Sequence, residues 1–357
     1  MEKQRNMLVT GGCGFIGSNF IHLVARSRPD WRVVNLDLLT YAGNLNNLEA
    51  IEEGNSYRFV KGDICDQPLV SSLFEQERID TVVHFAAESH VDRSIVGPDA
   101  FIRTNIIGTF TLLEAARTAW AESGGEQDGP IFLHVSTDEV FGSLGESGYF
   151  SETTAYDPRS PYSASKASSD HLVSAYCHTY GLPVMITNCS NNYGPYQFPE
   201  KLIPLIFNNA LHGKPLPVYG DGKNVRDWLF VEDHCEAIVE VLLKGRNGQS
   251  YNIGGNNEKQ NIEVVTLVCD LLDKKLGPLE SGRSRSSLIT FVKDRLGHDR
   301  RYAIDATKIK NELGWEPKMT FEQGMEKTLD WYLAHQDWVN DIVNGSYKDY
   351  YDAMYNG

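Results

Sequence analysis

The stretch that most restricts how this chain can fold lies close to its start. Met7-Leu8-Val9-Thr10 reads as a strand, runs into Gly11-Gly12-Cys13-Gly14-Phe15-Ile16-Gly17, and is followed by a helix-like run over residues 18–27. Gly11, Gly14 and Gly17 let the backbone turn tightly, approach a pyrophosphate closely and aim the first amides of the helix at it. A GxGxxG pattern is weak alone; wedged between a strand and a helix it predicts a dinucleotide-binding turn. Asp37 ends the next predicted strand, 20 residues beyond Gly17. An Asp that merely caps a turn is the bland alternative. A carboxylate at this place binds the adenosine ribose hydroxyls and repels a 2′-phosphate, which favours NAD over NADP.

Short β-branched runs alternate with helical stretches through the first half. Arg32–Asp37, 57–60, 81–87 and Ile131–Thr137 read as further strands, with helices over 68–76 and 104–121 between them. This alternation predicts an α/β fold, a Rossmann-type doubly wound parallel sheet. Residues 124–130 read as a surface loop. Ser160 as cap, Pro161 in the first turn and Gly181 as terminator predict a long helix, Pro161–Tyr180. Beyond residue 190 the spacing of Pro and Gly tightens, which predicts a smaller α/β C-terminal lobe that binds substrate. The expected division is a dinucleotide-binding domain over 1–190 and a substrate lobe over most of 191–357. A strand and helix within 226–250 return to the first domain. Helical patterns recur over 262–275 and 321–335.

With 33 basic against 48 acidic residues, the net charge is −15. A surface that negative repels nucleic acid and anionic lipid, so no nucleic-acid and no membrane partner is expected. A phosphorylated ligand would need Arg, Lys or His gathered locally against that field. The six cysteines include no CxxC pair and no zinc-like spacing. No metal is therefore expected, and a reducing compartment is. No apolar run is long enough for a bilayer and the first residues lack a signal-peptide pattern, which predicts a cytoplasmic protein.

Three Tyr-x-x-x-Lys pairs occur among the 17 tyrosines. Tyr57/Lys61 falls on a predicted strand, where four residues span roughly 13 Å. Tyr219/Lys223 brackets a turn. Tyr162/Lys166 falls on the predicted helix, where positions i and i+4 share a face. There an ammonium, with a cationic nicotinamide, favours the phenolate and is expected to lower the Tyr162 pKa from its usual value near 10. Tyr162 then suits proton removal from a sugar hydroxyl as hydride leaves the same carbon, and Lys166 suits a contact to the nicotinamide ribose. The strand Ile131–Thr137 ends in Thr137-Asp138-Glu139, and ligands sit at the carboxyl ends of parallel strands. Two adjacent carboxyls suit an elimination, one abstracting a proton beside a carbonyl and the other protonating a departing hydroxyl.

Longer stretches carry a resemblance. They are Leu36-Asp37-Leu38-Leu39-Thr40-Tyr41-Ala42-Gly43-Asn44, Ala86-Ala87-Glu88-Ser89-His90-Val91-Asp92-Arg93-Ser94 and Thr137-Asp138-Glu139-Val140-Phe141-Gly142. Pro161-Tyr162-Ser163-Ala164-Ser165-Lys166, Asn188-Cys189-Ser190-Asn191-Asn192-Tyr193-Gly194-Pro195 and Phe198-Pro199-Glu200-Lys201-Leu202-Ile203-Pro204 follow. By these the chain resembles, almost throughout, the nucleotide-sugar 4,6-dehydratases of the extended short-chain dehydrogenase/reductase family. The triplet Thr137-Asp138-Glu139 is the most telling, because sibling epimerases share the glycine loop and the Tyr/Lys pair but lack it.

The resemblance implies a cycle acting on dTDP-D-glucose. Carbon 4 is oxidised with Tyr162 as base and Thr137 positioning the hydroxyl, and Glu139 takes the carbon-5 proton. Asp138 protonates the carbon-6 hydroxyl, water leaves, and hydride returns to carbon 6, giving dTDP-4-keto-6-deoxy-D-glucose. It further implies a tightly held NAD contacting Phe15, Ile16, Asp37, Leu38, Leu39, Thr40, Asp63, Ile64, Ala86, Ala87, Thr104, Tyr162, Lys166 and Asn192. The sugar nucleotide would meet Ser89, Thr137, Asn191, Glu200, Lys201, Leu202, Pro217, Val218, Tyr219, Arg226, Asn261, Arg295 and His298. Lys201, Arg226, Arg295 and His298 would be the positive cluster for its diphosphate. The chain departs from the family pattern at Phe141, where Tyr is expected, at Leu296, where Pro is expected, and at Cys13, which replaces a smaller residue.

Two rival enzymes remain from the residues themselves: a 4,6-dehydratase acting on a UDP- or CDP-sugar, and a UDP-sugar 4-epimerase. A catalytically silent NAD-binding regulator is the rival of another class. The family, and helices over 104–121 and Pro161–Tyr180 with faces that could pair across a twofold axis, lead to the expectation of a homodimer.

Overall fold

In the computed structural model, which describes residues 4–51, 54–121, 129–294 and 298–343, strand side chains alternate between two covered faces of one sheet. Met7 and Val9 join the core on one side while Leu8 joins that on the other, and Leu133 and Phe132 divide the same way. Strands buried on both faces read as near-continuous apolar runs, which is why they were visible as such.

The chain builds β1 (Asn6–Thr10), α1 (Phe15–Ser27), β2 (Arg32–Asp37), β3 (Tyr57–Lys61), α2 (Gln67–Glu77) and β4 (Thr81–His84). Then come α3 (Val91–Val96), α4 (Asp99–Phe101), a π-helical stretch Ile102–Gly108, α5 (Thr109–Ala119), β5 (Ile131–Thr137), α6 (Pro161–Tyr180) and β6 (Val184–Cys189). The second half adds β7 (Asn191–Tyr193), α7 (Leu202–Leu211), β8 (Leu216–Tyr219), β9 (Val225–Phe230), α8 (Val231–Lys244) and β10 (Ser250–Ile253). It closes with β11 (Glu258–Gln260), α9 (Asn261–Leu276), β12 (Ile289–Val292), α10 (Thr307–Leu313), α11 (Phe321–Ala334) and α12 (Gln336–Val343).

Seven strands form a parallel sheet in the order β10-β6-β5-β4-β1-β2-β3. The order reverses between β1 and β4, and a crevice opens at such a switch point outside the carboxyl ends of the strands. Two smaller sheets, β11-β9-β7 and β12-β8, belong to the C-terminal part, whose core gathers Phe207, Trp228, Val265 and Phe321. The expected returning segment is divided. β9 pairs with β7 and β11, whereas α8 contributes Cys235, Ile238 and Leu242 to the core beneath the large sheet and β10 extends that sheet beside β6. Ile309 and Leu313 of α10 pack into the same core.

Two expectations shift at their edges. The strand expected over 81–87 stops at His84, because the chain must leave the sheet there to form the crevice wall. The helix expected over 104–121 starts at Asp99 and passes through the π-helical stretch, a wide turn that recurs at functional sites. The loop expected over 124–130 lies largely outside the described residues. No described helix is long and apolar enough to cross a membrane.

Candidate active site

At the crevice one long pocket runs from the glycine loop to the end of β6. Its first end is made of backbone. Gly11 has φ +70°, and a Cβ there would sit 2.7 Å from the Ala86 backbone nitrogen. A Cβ on Gly17 would lie 2.3 Å from the Gly11 carbonyl oxygen, so the turn closes only without side chains. Gly14 leads into α1 without a side-chain cap, which leaves the first amides of the helix directed into the loop. Asp37 holds this turn: its carboxylate accepts the Cys13 N–H at 2.9 Å and the Leu39 N–H at 2.8 Å. The Cys13 carbonyl accepts from the Asn44 N–H at 3.0 Å and from Asn47 Nδ2 at 2.9 Å, so Cys13 fits.

Gly11, Gly14, Phe15, Ile16, Gly17, Asp37, Leu38, Thr40, Asp63, Ile64, Ala86, Ala87, Thr104 and Asn192 all line the pocket, together with Tyr162 and Lys166. Leu39 and Asp138 are not among these lining residues: the Leu39 N–H donates to Asp37 while its side chain packs against the core, and Asp138 is buried behind Thr137 and Glu139. The cradle at Gly11 and Gly17 fits a dinucleotide, as does the wall from Asp37 to Ile64. So does Asn191 Oδ1, which is buried and has no hydrogen-bond partner among the described residues.

The second end is made of side chains. Thr137 closes β5 opposite Cys189 of β6 in register. Its hydroxyl lies 3.4 Å from Asp138 Oδ1 and accepts the Glu139 N–H at 3.3 Å. Asp138 is buried, and its Oδ2 has no hydrogen-bond partner among the described residues. Burial, reinforced by the neighbouring Glu139 and Asp227, pushes its carboxyl well above the usual range and so favours its protonated form.

Tyr162 and Lys166 reach this end from α6, whose start is set by a reciprocal Ser160/Ser163 cap with Pro161 in the first turn. Gly181, with φ +69°, ends the helix. Small residues on the buried face, Ser163, Ser165, Ala167 and Ser169, let this helix lie close to the sheet. The direction of the Tyr162 pKa differs from the sequence expectation. Burial first and the Glu139 carboxylate second push the phenol up, with the Thr137 hydroxyl opposing. Lys166 Nζ donates to the Val135 carbonyl at 2.9 Å and lies 3.4 Å from His134 Nε2, so the strand beneath engages the ammonium.

Of the expected sugar-nucleotide contacts, Ser89, Thr137, Asn191, Glu200 and Lys201 line this pocket. Lys201 Nζ donates to the Ser89 carbonyl at 3.1 Å. Glu200 is buried, with Arg93 Nε 3.4 Å and His90 Nε2 3.8 Å from its carboxylate. Leu202 opens α7 beside the C-terminal core. Pro217, Val218 and Tyr219 lie on β8, with Val218 turned into that core. Arg226 is buried on β9, its guanidinium 4.2 Å over the Tyr302 ring and donating to the Asp299 carbonyl at 3.0 Å. His298 sits 2.6 Å from Asp294 with its ring 6.2 Å from Tyr219. Asn261 begins α9 with its buried Oδ1 lacking a partner among the described residues. Arg295 and Leu296 lie outside the described residues. Phe141 packs against Phe150 and Tyr156, each ring 5.3 Å away.

Sequence reasoning missed several wall residues. Glu88 lines the pocket, its backbone held by Asn105 in both directions at 2.9 and 3.1 Å. Tyr41, under the Arg93 guanidinium at 3.8 Å, and Gln197 also line it. They sit in irregular connections, where no periodicity points inward. Glu88 and Tyr41 were within reach, because both fall inside the quoted motifs.

The GDP-mannose 4,6 dehydratase family matches residues 8–328 of this chain. A dTDP-glucose 4,6-dehydratase of Xanthomonas campestris is 64% identical over 342 residues, covering 96% of this chain and 97% of that one. A solved dTDP-glucose 4,6-dehydratase from Bacillus anthracis, in complex with NAD, superposes with a TM-score of 0.84 at 50% identity, covering 94% of this chain and 99% of that one. One from Streptomyces venezuelae, with NAD and TYD bound, superposes with a TM-score of 0.86 at 46% identity and the same coverage.

Proposed function

The chain belongs to the GDP-mannose 4,6 dehydratase family, and on that premise we propose that it converts dTDP-D-glucose to dTDP-4-keto-6-deoxy-D-glucose and water, with NAD as resident cofactor. The observation that carries the reading is the Asp138/Glu139 pair at the end of β5: Glu139 lines the Tyr162 pocket, and Asp138 is buried beside it with its carboxyl pushed well above the usual range. A 4-epimerase needs no such acid. When bound, NAD supplies oxidation at carbon 4 and reduction at carbon 6.

The chain's own residues supply the proton chemistry. Gly11, Gly14 and Gly17 would hold the pyrophosphate through backbone amides, and Asp37 would take the adenosine ribose hydroxyls on its remaining lone pairs. Thr137 orients the carbon-4 hydroxyl and Tyr162 removes its proton. Once carbon 4 is a ketone the carbon-5 hydrogen is acidic, and Glu139 takes it. Asp138 gives its proton to the carbon-6 hydroxyl, which leaves as water. Glu139 returns a proton to carbon 5 as carbon 6 becomes a methyl group, and the proton that Tyr162 took offsets the one that Asp138 lost, so the cycle closes with loss of water alone. Lys201, Arg226, His298 and Arg295 are the cations assigned to the diphosphate.

A cytoplasmic location and a homodimer belong to the same proposal. Exposed apolar side chains support a dimer face: Ile95 and Val96 on α3, and Ile102, Ile107 and Phe110 on the segment that follows. On α6, Tyr180 is the large exposed one, so α6 itself offers less apolar surface than its length suggested.

Incubation of the purified protein with dTDP-glucose and no added NAD tests the function by proton NMR. A new methyl doublet with a 4-keto sugar is expected; a galactose product or unchanged substrate would sink the reading.

A further inference from the structure

Beneath Tyr162 and Lys166 lies a set of ionisable side chains that the proton chemistry above leaves without a task. Asp170 follows Lys166 by one helical turn, so both lie on the sheet-facing side of α6. Lys166, Asp170 and His134 of β5 are all at most 4% exposed. His134 Nε2 lies between the other two, 3.4 Å from Lys166 Nζ and 3.1 Å from Asp170 Oδ1, an oxygen with no hydrogen-bond partner among the described residues. The other oxygen of Asp170 accepts from Ser136 Oγ at 2.8 Å, Tyr156 OH at 2.9 Å and Asn188 Nδ2 at 3.4 Å. Asn188 also donates to the Thr137 carbonyl at 3.1 Å.

An ammonium sealed from water is costly without an opposite charge close by. Burial pulls the Lys166 pKa down, and the Asp170 carboxylate is the first influence opposing it. The other groups around Lys166 bring no full charge. His84 of β4 sits between the Thr10 and Thr109 hydroxyls at 2.7 and 2.9 Å, and burial keeps it neutral. Burial likewise lowers His134 to about 4 and raises the Cys189 thiol of β6 to about 12. Asp138 and Glu139 bear on Tyr162, the remaining neighbour on α6.

We propose that Asp170, with the neutral His134 lying between them, is the buried counter-charge that keeps Lys166 an ammonium and so sets the pH at which Tyr162 gives up its proton. Both are positioning residues, since they act through Lys166. The inference rests on the assignment of Tyr162 as carbon-4 base. With Asp170 neutral, Lys166 loses its proton more readily, the phenolate loses its nearby cation, and deprotonation of Tyr162 needs a higher pH. If Asp170 only ties β5, β6 and the Tyr156 segment together, its loss lowers stability without moving that pH.

The test is the pH dependence of kcat in the NAD-loaded enzyme for the wild type, Asp170→Asn and Asp170→Glu. The limb on which kcat rises with pH should move up by about one unit in Asp170→Asn and stay near the wild-type position in Asp170→Glu. A limb unmoved in Asp170→Asn, with kcat reduced evenly across the range, overturns the proposal. If Asp170→Asn is recovered unfolded, lysine 13Cε NMR of the wild type decides, with Lys166→Met identifying the resonance. An ammonium at pH 7 supports the counter-charge and a neutral amine there overturns it. An inactive wild type would instead count against the dehydratase reading, leaving the NMR readout intact.

Discussion

At the glycine-loop end of the pocket the working groups are backbone amides, whereas at the Thr137 end they are ionisable side chains buried at the carboxyl end of β5. Both ends sit at the carboxyl side of one parallel sheet, so topology alone does not separate them. The first is shaped by the absence of atoms: Cβ groups at Gly11 and Gly17 would collide with main chain. The second is shaped by charge in a place that resists it, since burial is the largest influence on Asp138, Tyr162 and Lys166 alike. A binding end can therefore be damaged by one methyl group. A reacting end can be damaged by replacing one oxygen while every shape is kept.

The sharpest way to break that contrast is Tyr162→Phe, which deletes one hydroxyl from the reacting end. It should lower kcat by about a thousandfold, the worth of a positioned base, while leaving bound NAD unchanged. Single-turnover kinetics together with release of NAD on denaturation measure the two. Loss of NAD from this variant would show that the ends are not separable.

The converse is Gly17→Ala. A Cβ 2.3 Å from the Gly11 carbonyl oxygen forces main chain to move, which costs about 1–3 kcal/mol. The purified variant should carry much less NAD and melt at a lower temperature. Added NAD should restore part of the activity, because the Tyr162 end is untouched. Full NAD content in Gly17→Ala would mean that the loop adapts and that backbone shape is not what binds.

The smallest effect is on stability and runs opposite to activity. Burial holds the Asp138 carboxyl well above the ordinary value near 3.8 to which it returns in the unfolded chain, so the folded state binds the proton more tightly. The folded state therefore loses stability as pH rises from that range toward the raised value. Asp138→Asn removes the dependence. Its melting temperature should exceed that of the wild type by a few degrees at pH 8 and by less at pH 5, even though dehydration is lost. A destabilised Asp138→Asn at pH 8 would show that the carboxyl is not strained by burial.

Much of the fold was legible because its signals are local. Strands buried on both faces announce themselves as apolar runs, and Arg32–Asp37 and Ile131–Thr137 form with the bounds expected. The helix Pro161–Tyr180 also does, because Ser160, Pro161 and Gly181 act within one turn of its ends. The glycine loop, the Thr137 triplet and the Tyr162/Lys166 spacing were legible for the same reason. The π-helical turn at Ile102–Gly108 was not, since it depends on contacts with distant segments: Asn105 ties the backbone of Glu88 and receives no such instruction from its own neighbours.

By itself, then, the sequence determined the sheet, the nucleotide turn and which residues are equipped to move protons, because propensity, capping and short-range spacing act over a few residues. Tertiary structure decided their electrical state. The upward push on Tyr162 and on Asp138 arises first from burial, and the engagement of Lys166 by His134 and the Val135 carbonyl from partners 32 and 31 residues away. Desolvation is a property of the assembled interior, and no spacing along the chain encodes how much water a side chain will lose.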